Sequence, residues 1–164
     1  QSFLSVPTNR NMTDIVVTHV NEQLKKNKIK PNEINKLYLL IGPGSFTGCR
    51  VGYIVITTFA NLLNIPVYYM DSLLFQTTDG NGVIIIDAKS NKKYFAVYKN
   101  YKPVVKPKLV LNTEVNKLSN QYKFKLYIDY KNVNVKKNLI NHLSHFVKCN
   151  DINKLVPLYI KEPV

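Results

Sequence analysis

Residues 41–52, "IGPGSFTGCRVG", decide the fold: they carry four of the chain's six glycines and directly follow the apolar segment "KLYLLI". The apolar run at residues 36–41 predicts a buried strand, and residues 47–63 predict a helix that Pro66 ends. A second apolar run, residues 67–70, predicts the next strand. Strand, loop, helix and strand make a βαβ-like unit, so the glycine loop lies between the first strand and its helix.

Glycine loops between a strand and a helix often hold phosphate groups. A Walker loop is improbable, because Gly48 is followed by Cys-Arg and not by Lys and Ser or Thr. The dinucleotide fingerprint is closer, although the loop is one residue too long, Pro43 removes an N–H and Phe46 crowds the backbone. One alternative is therefore a nucleotide- or dinucleotide-binding enzyme. Its residues would be Gly42, Gly44, Gly48 and Asp71.

The spacing of Gly48 and Gly52 indicates close packing. The two residues lie one helical turn apart, where they leave a bare stripe on the predicted helix. Glycine inside a helix costs about 1 kcal/mol relative to alanine, so a close neighbour is expected to compensate. That neighbour can be internal or a partner, and the spacing does not distinguish the two.

The chain before the glycine loop predicts a helix that runs to about Asn27. Its candidate N-caps are Thr8, Asn9 and Asn11. Helical spacing places apolar side chains on one side of this helix. They are Met12, Ile15, Val16, His19 and Val20.

A change of pattern near the middle of the chain predicts two structural units. The turn-forming segment "TTDGNG", residues 77–82, interrupts the apolar periodicity. It is the candidate boundary between an N-terminal lobe, residues 1–80, and a C-terminal lobe, residues 81–164.

The second unit predicts a hairpin, a further strand, a helix and a tail. Residues 83–86 and the segment "YFAVYK" are two strands joined by a polar turn. Residues 125–130 predict a strand, residues 138–148 a helix, and two prolines predict an extended C-terminal tail. The expected architecture is α/β with a mixed sheet.

The net charge of +13, from 23 basic and 10 acidic residues, is typical of a chain that contacts polyanions. Only Arg10 and Arg50 are arginines, however. The remaining basic residues are lysines, which lack the guanidinium fork that binds phosphate bidentately. A lysine-rich RNA-binding module is therefore a weaker alternative.

Cysteine and histidine usage argues against a disulfide or a metal site. Cys49 and Cys149 stand alone without paired spacing, which favours a reducing cytoplasm. His142 and His145 could share a helix face, but no third ligand is near them in sequence, so we interpret them as helix-surface residues. The longest apolar-rich run, residues 51–63, is too short to cross a bilayer, so no membrane association is expected.

The segment "GPGSFTGCRVG" resembles the signature GPGSFTG-x-R-x-G of the bacterial TsaB (YeaZ) proteins, the non-catalytic partners of TsaD in making N6-threonylcarbamoyladenosine in tRNA. Cys49 stands where that family usually has an aliphatic residue. Looser matches extend over most of the chain. Residues 11–24 are similar to the family's first long helix, "VIIIDAKSNKKYFAVY" to its strand, turn and strand, and "VPLYIK" to its closing element.

The resemblance implies a two-lobed, actin-like and Hsp70-like (ASKHA, ribonuclease H-like) α/β fold. This sequence matches the family only from the end of the third strand, so the resemblance implies either a fold lacking the first N-terminal strands or a numbering that starts within a larger, trimmed or partly ordered protein. In the family, the first helix and the helix after the glycine loop pair with the equivalent helices of TsaD, and related surfaces form a homodimer. Carried onto matching positions, the interface residues are Met12, Ile15, Val16, His19, Phe46, Gly48, Arg50, Gly52, Tyr53 and Ile56. The motif loop is Gly42, Pro43, Gly44, Ser45, Phe46, Thr47 and Gly48.

The resemblance further implies a subunit that binds and activates TsaD, with no catalytic residues, cofactor or metal of its own. ATP and metal are expected in the partner subunits, which include TsaE, and tRNA is contacted indirectly. A glycoprotease-like peptidase is a weaker alternative from the wider family. Ser45 lacks the G-x-S-x-G spacing of a hydrolase nucleophile, however, and Asp87, at the end of a strand, fits a turn cap better than an acid–base catalyst.

Overall fold

The computed structural model describes residue 4, residues 12–131 and residues 133–160, with the backbone alone at residues 12–14. The α-helices are α1 (Met12–Lys26), α2 (Phe46–Leu63), α3 (Asn112–Ser119) and α4 (Val135–His142). The strands are β1 (Leu37–Leu40), β2 (Val67–Met70), β3 (Gly82–Asp87), β4 (Lys92–Lys99), β5 (Lys102–Leu111), β6 (Leu126–Ile128) and β7 (Val147–Lys148). Short 3-10 turns cover Pro31–Glu33, Leu74–Gln76, Leu143–His145 and Ile152–Lys154.

The first sheet has the strand order β1-β2-β7. β1 and β2 are parallel and are joined through α2, which packs on this sheet, while the two-residue β7 pairs antiparallel with β2. Buried Leu39, Ala60, Val67 and Leu155 form the core between sheet and helix. The βαβ unit predicted around the glycine loop is confirmed.

The second sheet has the strand order β5-β4-β3-β6. β3 pairs antiparallel with β4 and parallel with β6, and its alternate residues enter two different cores. Val83 and Ile85 face one core, and Ile84 and Ile86 face the other, which Met70 of β2 also enters. The two sheets therefore share one of these cores.

The turn at residues 77–82 separates the strands of the first sheet from β3. The later chain nevertheless returns to the first sheet through β7, and Leu158 N donates a hydrogen bond to Ile41 O at 2.7 Å. The division into residues 1–80 and 81–164 stays a prediction.

α1 packs mainly against α2 and is covered only in part. The half-buried residues on its apolar side are Ile15, Val16, His19 and Val20, as the helical spacing predicts. Val17, one position along, is exposed. The predicted caps Thr8, Asn9 and Asn11, and the side chain of Met12, lie outside the described residues. Much of the apolar side of α1 thus lacks a neighbour within the described chain.

The prediction of one helix over residues 138–148 is wrong in its second half. α4 starts earlier, at Val135, because Asn134 Oδ1 accepts a hydrogen bond from Lys137 N at 2.9 Å and caps the helix. It ends at His142, a 3-10 turn follows, and Val147–Lys148 then pair with β2. The end of the predicted helix is therefore a short strand of the first sheet.

β5 and α3 have no counterpart among the predicted elements. β5 is an edge strand of its sheet. A proline has no N–H to donate, which a central strand requires on both sides, so Pro103 and Pro107 are tolerated only at such an edge. Glu114 Oε2 accepts a hydrogen bond from Leu111 N at 2.9 Å, which marks the start of α3.

A buried amide ties α4 to the segment that follows β2. Asn138 is 1% exposed, and its Nδ2 lies 2.9, 3.2 and 2.9 Å from the carbonyl oxygens of Phe75, Gln76 and Thr77. Buried carbonyls need such donors, since an unpaired one costs about 1–3 kcal/mol. The two hydrogens of one amide are therefore shared among three consecutive backbone acceptors.

His142 continues this buried polar cluster. Its Nδ1 lies 2.9 Å from Asn138 O and its Nε2 lies 3.3 Å from Thr77 Oγ1. The residue is fully buried, so its interpretation as a helix-surface histidine is wrong. His145 is exposed, but its ring stacks on Tyr101 with 3.4 Å between the ring centroids.

The free energy of unfolding is expected to fall as the pH drops below about 6.5, the ordinary pKa of histidine. Burial lowers the pKa of His142, so the unfolded chain accepts a proton that the folded protein resists. Above about pH 6.5 this ring is neutral in both states and its contribution is constant; below it, stability is lost down to the folded pKa. Urea denaturation of the wild type and of His142→Gln from about pH 5 to pH 8 measures this loss. Identical pH dependence in the two proteins would contradict the prediction.

Candidate functional site

The glycine loop holds the start of α2 and is bonded to the end of β2. Ser45 is the N-cap of α2, because its Oγ accepts a hydrogen bond from Gly48 N at 3.3 Å. Gly42 has a φ of +96°, a conformation that favours glycine, and the Gly42–Pro43 peptide bond is cis. Ser72 N donates to Gly42 O at 2.7 Å. The motif residues therefore build a fixed connection between sheet and helix.

The C-terminal tail of the same chain lies against this loop. Leu158 N donates to Ile41 O at 2.7 Å, as described above. A Cβ at Gly42 would lie 3.3 Å from Leu158 O and 3.1 Å from Cys49 Sγ. Only glycine leaves room for the tail here, and the protein itself occupies the space beside Gly42.

Asp71 is likewise engaged by the protein. Its Oδ1 accepts hydrogen bonds from Leu73 N at 3.0 Å and Leu74 N at 2.8 Å, and the Tyr98 side chain also bonds to it. Burial raises the pKa of Asp71 above its ordinary value. A ribose-binding acid must direct its carboxylate to a ligand, whereas this one satisfies backbone donors. The arrangement does not favour the nucleotide- or dinucleotide-binding alternative.

The inner side of α2 contacts the chain's own sheet. A Cβ at Gly52 would lie at an ordinary contact distance of 3.5 Å from Leu39 Cδ1 of β1, so this glycine faces the chain's own sheet but a Cβ would fit there. Tyr53 and Ile56 pack against the same core. Gly52, Tyr53 and Ile56, which the resemblance assigned to a partner interface, thus face the first sheet of the chain itself.

The exposed side of α2 carries apolar residues among polar ones. Phe46 is 38% exposed, Arg50 is exposed, and Ile54 is 51% exposed. These residues follow one another at four-residue intervals and so lie on one side of the helix. We call Phe46, Arg50 and Ile54 the α2 stripe.

By length and composition alone, α2 could cross a bilayer, as core helices of soluble proteins also can.

A shallow apolar groove of about 420 Å³ runs along α1. It is lined by Leu4, Ile15, Val16, His19, Val20, Gln23 and Leu24. His19 Nδ1 also lies 2.8 Å from Glu22 Oε2 within the helix. Three of the predicted interface residues, Ile15, Val16 and His19, therefore come together in the α1 groove.

A residue from the C-terminal tail joins the α2 stripe. The rings of Phe46 and Tyr159 have centroids 5.1 Å apart, and Arg50 Cζ lies 5.3 Å from the centroid of the Phe46 ring. Tyr159 belongs to the segment "VPLYIK", which resembles the family's closing element, but its contact with Phe46 depends on the fold. Ile54 could have been found from its helical spacing to Phe46 and Arg50.

The side chains considered for catalysis are held in structural roles. Ser45 caps α2, and the three histidines bond or stack elsewhere, at Glu22, Thr77 and Tyr101. Within the described ranges, no group of three or more His, Cys, Asp and Glu residues is placed to hold a metal ion. These contacts do not favour the peptidase alternative.

Asp87 is ion-paired within the β3–β4 hairpin. Lys93 Nζ lies 3.0 Å from its Oδ1, and Lys89 Nζ lies 3.3 Å from its Oδ2. The hydrogen bonds from Lys93 and then Lys89 lower the pKa of Asp87 below its ordinary value. An ionised, paired carboxylate at a hairpin fits a structural role better than acid–base catalysis.

Lysines on the second sheet do not converge on a defined site. Lys102, Lys106 and Lys108 are exposed along β5, the outer strand. Charged residues on an outer strand also prevent edge-to-edge pairing between proteins. Their exposure alone does not favour the RNA-binding alternative.

The comparison with protein families decides the assignment. Residues 6–148 match the model of TsaD, described as tRNA N6-adenosine threonylcarbamoyltransferase. This chain belongs to the TsaD family. The recognition made from the glycine motif is confirmed.

Individual relatives are similar over much of the chain. An uncharacterized protein of Mycoplasma genitalium, MG208, is 30% identical over 98% of this chain and 83% of its own length. TsaB of Bacillus subtilis, a tRNA threonylcarbamoyladenosine biosynthesis protein, is 34% identical over 42% of this chain and 32% of its own length. The structure of YeaZ from Pseudomonas aeruginosa superposes with a TM-score of 0.65 at 13% identity, covering 90% of this chain and 85% of that one. The two-sheet, actin-like α/β fold class of this chain is therefore confirmed.

Proposed function

We propose that this chain is a non-catalytic, TsaB-like subunit that binds TsaD and activates it for threonylcarbamoylation of the tRNA adenosine beside the anticodon. The observation that carries the proposal is the apolar surface of α1 and α2 that the described residues leave exposed or half-buried, next to the family's glycine motif. In this proposal ATP and metal belong to the partner subunits, TsaE and tRNA join through the complex, and the assembly is cytoplasmic.

The composition of the α1 groove indicates a binding site for a partner protein and not an ordinary solvent-facing surface. A helix that only faces solvent would carry polar residues at these positions, whereas Ile15, Val16, Val20 and Leu24 are only partly covered by the described part of the chain. Contiguous exposed apolar surface on a folded protein usually marks an interaction site. The α1 groove is open enough to accept side chains from a second helix.

The glycine motif fits a scaffold because it shapes the protein itself. Ser45 starts α2, Gly42 lies against the C-terminal tail, and Gly52 lies on the side of α2 that faces β1. These contacts fix how α2 is presented and leave the α2 stripe on the outside. A subunit of this kind contributes an ordered surface, and the reacting groups belong to its partner.

Binding to the TsaD of the same organism tests the proposal. Val16→Glu places a charge in the α1 groove and is expected to weaken binding by at least about tenfold, since a buried unpaired charge is costly. Val17→Glu is the matched control, because Val17 is exposed on the same helix and does not line the groove. Ile54→Glu makes the same change on the α2 stripe. Affinity is measured by calorimetry, and activation by threonylcarbamoyl transfer to tRNA in the reconstituted complex.

The outcomes separate a scaffold from the alternatives. Weak binding by Val16→Glu and Ile54→Glu, with unfolding curves like the wild type and normal binding by Val17→Glu, supports the proposal. A folded wild-type chain that neither binds TsaD nor raises its activity overturns it. Binding of ADP or NAD by the isolated chain, lost on Gly44→Val, would instead support the nucleotide-binding alternative.

A further inference from the structure

We propose that Tyr159 of the C-terminal tail, with Phe46 and Arg50 of α2, forms the anchor of the partner interface, and that the partner places a carboxylate against Arg50. This inference rests on the proposed function, and it adds a residue from the end of the chain and the chemistry of the partner surface. We call these three residues the tail anchor.

The tail anchor has the composition of an interface centre. It joins two aromatic rings and a guanidinium: the Phe46 ring centroid lies 5.1 Å from that of Tyr159, with the planes tilted by 40°, and 5.3 Å from Arg50 Cζ. Phe46 and Tyr159 are 38% and 45% exposed, so each ring keeps apolar surface for a partner. Tyrosine and arginine are enriched among the residues that dominate binding energy at interfaces.

The tail is held in place before any partner arrives. Leu155 is buried in the core of the first sheet, Pro157 is buried, and Leu158 N is bonded to Ile41 O. Tyr159 follows directly and has little backbone freedom left to lose. A side chain ordered in advance binds more tightly than a mobile one, because less entropy is lost on binding.

Arg50 carries a positive charge that forms no ion pair with another described residue. The ion pairs among the described residues involve His19, Lys89, Lys93 and Lys154, and none includes Arg50. The cation–π contact with Phe46 holds the guanidinium at the surface, and no hydrogen bond or ion pair to another described residue engages its N–H donors. A carboxylate is the group that matches this planar fork with two parallel hydrogen bonds.

Composition and charge support the same partner. This chain uses lysine at nearly every basic position and arginine at only two, Arg10 and Arg50. An arginine in the tail anchor therefore indicates a need for the guanidinium and not for charge alone. The net charge of +13 disfavours a second copy of this chain on the same surface and favours a partner with acidic groups.

Affinity for TsaD at several salt concentrations tests the tail anchor. Arg50→Met is expected to weaken binding about tenfold or more and to flatten its salt dependence, and Arg50→Lys should recover the salt dependence but only part of the affinity. Tyr159→Ala should also weaken binding about tenfold, whereas Tyr159→Phe, which keeps the ring, should bind like the wild type. Lys36→Met is the matched control, because Lys36 also lies over an aromatic ring, Tyr68, away from the tail anchor.

Each result bears on one part of the inference. If wild type binds TsaD and both Arg50→Met and Tyr159→Ala bind equally well while folded, the tail anchor is wrong and the proposed function stands. Weak binding by Arg50→Met with unchanged salt dependence overturns the inference that the partner places a carboxylate against Arg50. Loss of self-association in these variants, with TsaD binding intact, assigns the surface to a second copy and overturns the inference. Absence of any wild-type complex overturns the proposed function and the inference together.

Discussion

Replacing Asn138 by leucine is expected to lower the free energy of unfolding by about 3 kcal/mol or more, because three buried carbonyls lose their shared donor. The amide nitrogen lies within 3.2 Å of the carbonyl oxygens of Phe75, Gln76 and Thr77, and leucine of similar size offers none of them a hydrogen. With Asn138 1% exposed, water cannot readily replace the lost bonds. Urea denaturation followed by circular dichroism measures the change.

Asn141 provides the matched control for this substitution. It lies on the same helix, is exposed, and its Nδ2 makes one long contact of 3.4 Å to Thr78 O. Asn141→Leu is expected to change the free energy of unfolding by no more than about 0.5 kcal/mol. Similar small effects in the two variants would mean that Asn138 does not tie α4 to the segment after β2.

The elements around the glycine loop could be predicted because their signals are local. The apolar run at residues 36–41 and the break at Pro66 bound strand and helix within a few residues of the observed limits. The apolar side of α1 follows from helical spacing in the same way. Each of these features depends on neighbours in sequence, and a sequence pattern records such neighbours directly.

β5 and β7 could not be predicted because each depends on its place in a sheet. The lysines and prolines of Lys102–Leu111 suit an outer strand but obscure the apolar alternation that usually indicates a strand. Val147–Lys148 has only two residues and becomes a strand by pairing with Tyr68 and Tyr69. Nothing local distinguishes such a segment from a helix end.

The residues of the candidate site differ in the same way: some follow from local sequence signals, and others depend on the fold. Phe46 and Arg50 come from the glycine motif, and the structure exposes both, whereas Gly52 of the same motif turns to Leu39. Which side of a helix faces the core depends on where the sheet lies, and glycine spacing does not contain that information. Tyr159 lies more than a hundred residues after Phe46. Only the fold brings the two rings together.

Replacing Gly80 by alanine is expected to destabilise the protein by about 2–4 kcal/mol, through backbone strain and steric overlap together. Gly80 has a φ of +76°, where a side chain costs about 1–2 kcal/mol. A Cβ there would lie 2.5 Å from Cδ2 of the Tyr101 ring, and overpacking of this kind adds about 1–3 kcal/mol. The ring cannot easily withdraw, because it stacks on His145 and Tyr101 N is bonded to Gly80 O at 3.0 Å.

Gly44→Ala is the control for this prediction. Gly44 is not among the residues with positive φ, and a Cβ there would meet only Cys49 Sγ at an ordinary 3.8 Å, so a change within about 0.5 kcal/mol is expected. The double variant Gly80→Ala with Tyr101→Ala separates the two causes in a double-mutant cycle. If overlap with the ring contributes, the double variant is more stable than the sum of the single losses predicts. Strict additivity would assign the whole effect of Gly80→Ala to its backbone conformation, and a stable Gly80→Ala protein would contradict both causes.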